Sequence, residues 1–135
     1  MNAVLKGALA AALAAGLAGT AQAQQYPNRT VRIVAPFAPG GGTDFIARLL
    51  AKKFTESMGQ SFIVDNRPGA GGNLGAEIAV KSTPDGYALL MISGSYTVNP
   101  SLYKVPFDSV KDIQAIIQLS QGPFLVAIKI GRAHV

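Results

Sequence analysis

Apolar residues in this chain fall into short runs, which are separated by segments rich in glycine, proline and serine. Thr30 to Phe37 is apolar and rich in β-branched residues. Tyr87 to Ile92 is a continuous apolar run of the kind that is typical of buried parallel strands. Ser61 to Asp65 is a shorter run of similar character. These three runs predict three strands.

Two helical patterns lie between the predicted strands. The first begins at Thr43, a good N-cap residue, and stops at Gly59. Its apolar positions recur at helical spacing, which predicts one inward face made of Ile46, Leu49, Leu50 and Phe54. The second helix is shorter and has Asn73 as its candidate N-cap. Its predicted inward face consists of Leu74, Ile78 and Ala79.

Alternating strands and helices predict the fold class α/β, with a parallel sheet and right-handed crossovers. Asn99 to Leu102 adds one predicted helical turn, and Ile113 to Leu119 and Phe124 to Ile128 add two predicted strands. Ligands of such sheets bind beyond the carboxyl ends of the strands. Three loops of small residues are expected at that edge, namely Pro39 to Asp44, Asn66 to Gly72 and Ser93 to Ser95.

The loop Pro39 to Asp44 has the composition of an anion-binding site. Gly40, Gly41 and Gly42 leave the backbone N–H groups unobstructed, and the helix that follows adds unpaired N–H groups and a positive partial charge. A carboxylate placed there would accept charge-assisted hydrogen bonds. Asp44 would repel this anion unless its side chain turns back to cap its helix, or holds a water or a ligand donor. The same residues also suit a plain strand-to-helix turn.

The loop Asn66 to Gly72 does not fit a nucleotide-binding motif. The pattern G-x-G-x-x-G would need glycine where Leu74 stands, and Ser93 follows the next strand where an acidic residue would be required. No lysine stands at the head of the first helix, which argues against a phosphate-binding P-loop. No cofactor is therefore expected. Arg67 is the best candidate to counter a second ligand carboxylate, although a solvated loop arginine fits the sequence equally well.

The first 23 residues have the three parts of a cleavable signal peptide. Lys6 supplies positive charge, Gly7 to Gly19 is uncharged and rich in alanine, and Ala21-Gln22-Ala23 is an A-x-A cleavage pattern. The apolar run of about 13 residues is shorter than the roughly 20 that a membrane span needs. We therefore predict cleavage after Ala23, no membrane span afterwards, and export to the periplasm of a Gram-negative bacterium.

Composition argues against several classes of function. The formal net charge of +5 falls to about +2 over Gln24 to Ile128, and the basic residues there are scattered, so no nucleic-acid partner is expected. The chain has no cysteine, which excludes disulfides, thiol catalysis and cysteine-bound metals. Its one histidine, His134, lies in the C-terminal tail. No catalytic set and no metal site can be assembled from the remaining residues.

Five segments occur in the order and spacing of one known family: Tyr26 to Phe37, Pro39 to Asp44, Asp65 to Ala76, Pro84 to Tyr87 and Val98 to Tyr103. On these segments the chain resembles the Bug family, the extracytoplasmic substrate-binding receptors of tripartite tricarboxylate transporters. The run from Asp65 to Ala76 is the most specific, and it departs from the family only in having aspartate rather than glutamate at its first position. The resemblance covers Tyr26 to Ile128.

The resemblance implies a type II periplasmic-binding-protein fold, in which two α/β lobes close over a small carboxylate. It also implies a monomeric receptor that performs no chemistry and delivers its ligand to a membrane permease. In the family, the loop after the first strand holds a ligand carboxylate, partly through ordered waters, and the loop after the third strand lines the cleft. The ligand-binding residues implied here are Phe37, Pro39, Gly40, Gly41, Gly42, Thr43, Asp44, Ser93, Gly94 and Ser95, with Asn66 and Arg67 as further candidates.

The last seven residues of the sequence are expected not to belong to the native protein. Back-translated, residues Lys129 to Val135 resemble a sequencing adapter read in frame, so we expect a non-native tail there. Residues 24–128 are then part of the first lobe, and most of the second lobe is absent. These residues alone are expected to bind ligand weakly or not at all. An exported α/β enzyme whose catalytic residues lie in an absent C-terminal half is the alternative.

Overall fold

The structure, a computed structural model, describes residues 25–122. Its strands form one parallel sheet in the order β2-β1-β3 and are β1 (Val31–Ala35), β2 (Phe62–Asn66) and β3 (Ala88–Leu90). Its helices are α1 (Gly42–Met58), α2 (Asn73–Val80) and α3 (Ser95–Leu102), and a 3-10 turn at Ala70–Gly72 precedes α2. Over residues 25–122, none of these helices has the length and apolar character to cross a bilayer.

The predicted α/β fold class with a parallel sheet is confirmed. β1 is the central strand, and it pairs Val31 with Phe62 on one side and Arg32 with Ala88 on the other. The first crossover therefore runs to one side of β1, and the second returns to the other side. Since parallel crossovers are right-handed, this reversal places α1 and α2 on opposite faces of the sheet. The crevice at such a reversal is where open α/β sheets bind ligands.

The core between α1 and the sheet is built on alanines, and of the predicted stripe Ile46, Leu49, Leu50 and Phe54 only Phe54 packs against that core cluster. Ala47 and Ala51 are buried against Val31, Ile33 and Phe62. Leu49 is 50% exposed, so its predicted place on the inward face was wrong. The small alanine side chains let the helix backbone approach the sheet closely, and the larger apolar residues flank this contact. The half-buried flanking residues are Ile46, Leu50 and Phe54.

Glycine, rather than the predicted polar side chains, caps both crossover helices. Gly41 is the N-cap of α1, and Thr43 lies inside its first turn. Gly72 is the N-cap of α2, with a φ of 98° that favours glycine, and Asn73 is already helical. Both predicted N-caps were therefore wrong by one or two residues. The predicted stop of α1 is confirmed, because Gly59 forms a left-handed C-cap with a φ of 71°.

α2 packs on the other face of the sheet through its smallest residues. Gly75 and Ala76 are its buried positions, whereas Leu74 is 46% exposed and does not face inward as predicted. A β-carbon built on Gly75 would lie 2.7 Å from the Pro36 Cβ and 2.9 Å from the backbone oxygen of Arg67. The backbone of α2 therefore lies directly against the chain that leaves β1.

The C-terminal part of the described chain differs most from the sequence prediction. α3 is a helix of two turns beginning at Ser95, longer than the single turn predicted. Residues 113–119 form no strand, and Ile116 and Ile117 are 77% and 74% exposed. Apolar residues there lack a pairing strand among residues 25–122, so β-propensity alone does not make them a strand. Phe124 to Ile128, the predicted signal peptide and the predicted tail lie outside the described residues.

A cluster of side chains near the amino ends of the strands ties the start of the described chain to the sheet. We call it the N-terminal clasp, and it joins Tyr26, Asn28 and Arg29 to Asp85–Tyr87. The Tyr26 hydroxyl donates to the Gly86 carbonyl at 2.6 Å, and the Tyr87 hydroxyl donates to Asn28 Oδ1 at 2.8 Å. Arg29 pairs with Asp85 at 2.6 Å and lies over the Tyr87 ring.

Candidate functional site

The three loops of small residues meet at the carboxyl edge of the sheet, because all three strands are parallel. Asn66, at the end of β2, donates from Nδ2 to the Phe37 carbonyl at 3.1 Å and to Asp44 Oδ1 at 2.9 Å. The Arg67 N–H donates to the Ala35 carbonyl at 2.8 Å. The loops after β1 and β2 are thus held together by hydrogen bonds.

The glycine loop, residues 39–43, has exposed backbone at the head of α1. Gly40 has a φ of 87°, and Gly41 is extended and serves as N-cap without any side-chain hydrogen bond. The first helical bond runs from the Phe45 N–H to the Gly41 carbonyl, so the N–H groups of Gly42, Thr43 and Asp44 have no acceptor within the helix. Pro39, Gly40, Gly41 and Gly42 are exposed, and Thr43 is half-buried.

Asp44 is buried beneath this loop and is 3% exposed. Its Oδ2 accepts from the Gly40 N–H and from Arg48 Nε, each at 2.9 Å, and its Oδ1 accepts from Asn66 Nδ2. Arg48 Nη2 in turn donates to Asn66 Oδ1 at 3.0 Å. The Asp44 carboxylate turns back, but it accepts no backbone N–H of α1 and so does not cap the helix as one of its two expected roles required. It instead fastens the loop to α1 and β2.

The hydrogen bond from Arg48, with those from Gly40 and Asn66, holds the pKa of Asp44 far below its usual value of 3.8. The carboxylate beside it in turn raises the pKa of Arg48. Asp44 is therefore ionised and paired throughout the physiological range. A carboxylate whose pKa is lowered by folding stabilises the folded state above its unfolded pKa, and this stabilisation is lost as the pH falls through the folded value.

We predict that Asp44→Asn lowers the melting temperature of the chain most at pH 6 and progressively less below about pH 4. The other carboxyl groups titrate in wild type and in Asp44→Asn alike. The difference between the two melting temperatures therefore reports the contribution of Asp44. Thermal unfolding followed by circular dichroism from pH 6 to pH 2 measures this difference. A difference that stays constant over this range would show that Asp44 is not an ionised anchor.

A small recess lies beside the glycine loop, where the chain leaves β1 and β3. It encloses about 10 Å³, the room of roughly one water molecule. Its lining residues are Pro36, Phe37, Gly71, Gly72, Ile92, Ser93, Ser95, Tyr96 and Asn99. The Ser93 and Ser95 hydroxyl oxygens lie 2.9 Å apart within it. Three predicted site residues, Phe37, Ser93 and Ser95, therefore line this recess.

The predicted loop Ser93 to Ser95 is shorter than expected, because Ser95 is the first residue of α3. Gly94 is its N-cap and is exposed, and Ser93 and Ser95 are half-buried. Arg67 is half exposed, and its Nε lies 2.9 Å from Asp65 Oδ1. It therefore has an acidic partner on β2, the strand that it follows, and no hydrogen bond within residues 25–122 links its side chain to the glycine loop.

Two polar residues of this edge were missed by sequence reasoning. Asn99 is 7% exposed, and its Nδ2 donates to the Gly71 carbonyl at 2.9 Å and to Asn73 Oδ1 at 2.8 Å. No local pattern marks it, because its partners lie 26 and 28 positions away. Arg48 was not singled out from the sequence, although its spacing of four from Asp44 is the helical ion-pair spacing that could have found it.

Comparison with known proteins assigns this arrangement to a family. Residues 46–131 match the sequence profile of the tripartite tricarboxylate transporter family receptors. The chain belongs to this family. The resemblance to Bug receptors is confirmed by protein BugT of Bordetella pertussis, which is 40% identical over 106 residues.

Solved structures of this receptor family share the fold described above. The periplasmic binding protein BugD is 40% identical to this chain with a TM-score of 0.61, and the match covers 64% of this chain and 29% of BugD. MatC from Rhodopseudomonas palustris, solved with bound malate, is 34% identical with a TM-score of 0.56 and coverages of 64% and 30%. The aligned segment of BugT is 78% of this chain and 32% of BugT, so the chain spans about a third of the length of its relatives.

Proposed function

We propose that this chain is the ligand-binding first part of a receptor that captures a small carboxylate. The observation that carries the proposal is the exposed glycine loop. Where this loop enters α1, the N–H groups of Gly42, Thr43 and Asp44 have no acceptor within the helix, and the charge of Asp44 is already paired. Oriented N–H groups at a helix head bind anions, and each hydrogen bond to a charged group contributes about 1.5–3 kcal/mol. MatC, with its bound malate, supports a carboxylate as the class of ligand.

Phe37, Pro39 to Thr43 and Ser93 to Ser95 are proposed to form the ligand-facing surface. Of these, Phe37, Ser93 and Ser95 line the recess near the carboxyl ends of β1 and β3, where the direction of the crossovers reverses. Asp44 and Asn66 are proposed to act from beneath, because their side chains are already bonded to the loop and to α1. Arg67 is proposed as a candidate to bind a second ligand carboxylate. This would require its ion pair with Asp65 to break.

We infer the location and partners of the receptor from what its family resemblance implies. We propose that residues 1–23 are a cleaved signal peptide, that the receptor acts as a monomer in the periplasm, and that it delivers its ligand to a membrane permease. Residues 24–128 would form part of the first lobe, and 129–135 would be a non-native tail. Sequencing the genomic locus tests this division: we expect the native reading frame to diverge after Ile128 and to encode a second lobe.

The decisive experiment is calorimetry on the receptor read through from that locus, called the complete receptor below. We expect micromolar binding of at least one of malate, citrate or glutamate, and no binding of malamide, which lacks the carboxylates. The 135-residue chain alone should bind the same ligand weakly or not at all. Absence of carboxylate binding by the complete receptor would contradict the proposal, and turnover of a bound ligand would favour the exported enzyme instead.

A further inference from the structure

Arg48 lies on the surface of α1, but its hydrogen bonds connect it to the glycine loop. Its Nε reaches Asp44 Oδ2 at 2.9 Å, and its Nη2 reaches Asn66 Oδ1 at 3.0 Å. The same Asp44 oxygen accepts the Gly40 N–H at 2.9 Å. Arg48 is thus two hydrogen bonds away from the backbone of the loop, although 55% of its side chain is exposed.

The positive charge of Arg48 affects how favourable the head of α1 is for a bound anion. Asp44 lies in the first turn of α1, and an unpaired carboxylate there would oppose a ligand carboxylate bound to the neighbouring N–H groups. Arg48 pairs with Asp44, so the field of the helix terminus stays favourable to an anion. Both oxygens of Asp44 are bonded inward, so neither faces the surface where the anion would lie.

The shape of the side chain matters as well as its charge. Arginine presents several N–H donors in a planar fork, whereas lysine is a single charged point on a flexible stem. Arg48 uses two different nitrogens for two partners on α1 and β2. A lysine at this position could pair with Asp44, but it could not also bridge to Asn66 in the same geometry.

We propose that Arg48 is a positioning residue for ligand binding: it pairs with Asp44 and braces Asn66, which together hold the glycine loop, residues 39–43, in its anion-binding conformation. Arg48 does not itself touch the ligand. This inference rests on the proposed function, since it concerns how the same loop binds a carboxylate. It adds a residue outside the loop whose loss should weaken affinity.

The test compares Arg48→Met, Arg48→Lys and the control Lys52→Met in the complete receptor. Lys52 lies one turn further along α1 and pairs with Glu56 at the long distance of 4.0 Å, so its loss removes the same charge without touching Asp44. We expect Arg48→Met to weaken carboxylate binding by about tenfold or more, the scale of one hydrogen bond to a charged group. Arg48→Lys should fall between Arg48→Met and wild type, and Lys52→Met should bind as wild type does.

Hydrogen exchange of the Gly40 amide, measured by NMR without ligand, provides a second readout. We expect about tenfold faster exchange in Arg48→Met, because the acceptor of that amide is no longer held. Unchanged affinity in Arg48→Met would overturn the proposal, whatever the exchange rate, and so would an equal loss of affinity in Lys52→Met. A wild-type receptor that binds no carboxylate would contradict the proposed function instead. If Arg48→Met does not fold, Arg48→Lys decides: wild-type affinity and exchange would overturn the bridging role.

Discussion

Replacing Gly75 with alanine should lower the melting temperature of this chain by about 10 °C, the largest stability effect we expect from a single added methyl group. The new β-carbon would lie 2.7 and 2.8 Å from Pro36 carbons and 2.9 Å from the Arg67 carbonyl oxygen. Two of these atoms are backbone and the third belongs to a proline ring, so none can move aside cheaply. α2 must shift away from β1, and the cost exceeds the gain of about 1 kcal/mol that alanine brings to a helix.

Gly42→Ala is the matched control for this prediction. Gly42 is also a helical glycine, and its added β-carbon would meet no atom within 4 Å. We therefore expect an unchanged or slightly higher melting temperature. Thermal unfolding followed by circular dichroism compares the two variants with wild type. If Gly75→Ala melts within about 2 °C of wild type, the close approach of α2 to Pro36 is incorrect.

Replacing Gly41 with valine should weaken carboxylate binding by the complete receptor about 100-fold or more while leaving the fold intact. Gly41 has the extended φ of −80° that valine readily adopts, and an added β-carbon would lie 3.7 Å from its nearest neighbour, the Ala38 carbonyl oxygen. The branched side chain would instead project from the exposed loop, where we propose that the ligand approaches. Loss of two hydrogen bonds to a charged ligand corresponds to about this factor.

Ala38→Val is the control for added side-chain volume, because Ala38 directly precedes the glycine loop. Ala38 is exposed and stands ahead of the glycines, so valine there adds the same branched group without covering the N–H groups at the helix head. We expect it to bind as wild type does in isothermal titration calorimetry. Equal affinities for Gly41→Val and wild type would show that the ligand does not approach the glycine loop.

The sheet and its two crossovers could be predicted from the sequence because the apolar runs are strong local features. Four of the five residues of Val31–Ala35 are buried in the centre of the sheet, as their apolar side chains imply, and Arg32 is the exception. Details of packing could not be predicted in the same way. The inward face of α1 is set by how closely its backbone can approach the sheet, which favours Ala47 and Ala51 over the larger Leu49. Periodicity gives the spacing of a buried stripe but not the rotation of the helix.

The candidate site was likewise predictable from the sequence only in part. The glycines of the loop after β1 identify an exposed backbone from sequence alone. The three side chains that hold the loop come from two elements: Asp44 and Arg48 share α1, but Asn66 is contributed by β2. Likewise Asn99 joins α3 to the turn before α2 across 28 positions. Contacts over such separations depend on the assembled sheet, which single-sequence patterns do not specify.

The N-terminal clasp has a consequence for secretion. If cleavage occurs after Ala23, only Gln24 and Gln25 separate the cut from Tyr26, whose hydroxyl is bonded to Gly86. If the clasp were already closed, the folded domain would lie next to the cleavage site. Too little extended chain would then remain to enter the narrow cleft of the signal peptidase. Tyr26 and Gly86 are 60 positions apart, so if the chain is exported unfolded, the clasp cannot close until that length of chain has crossed the membrane. We therefore expect processing to precede folding, during the time in which those residues are still in transit.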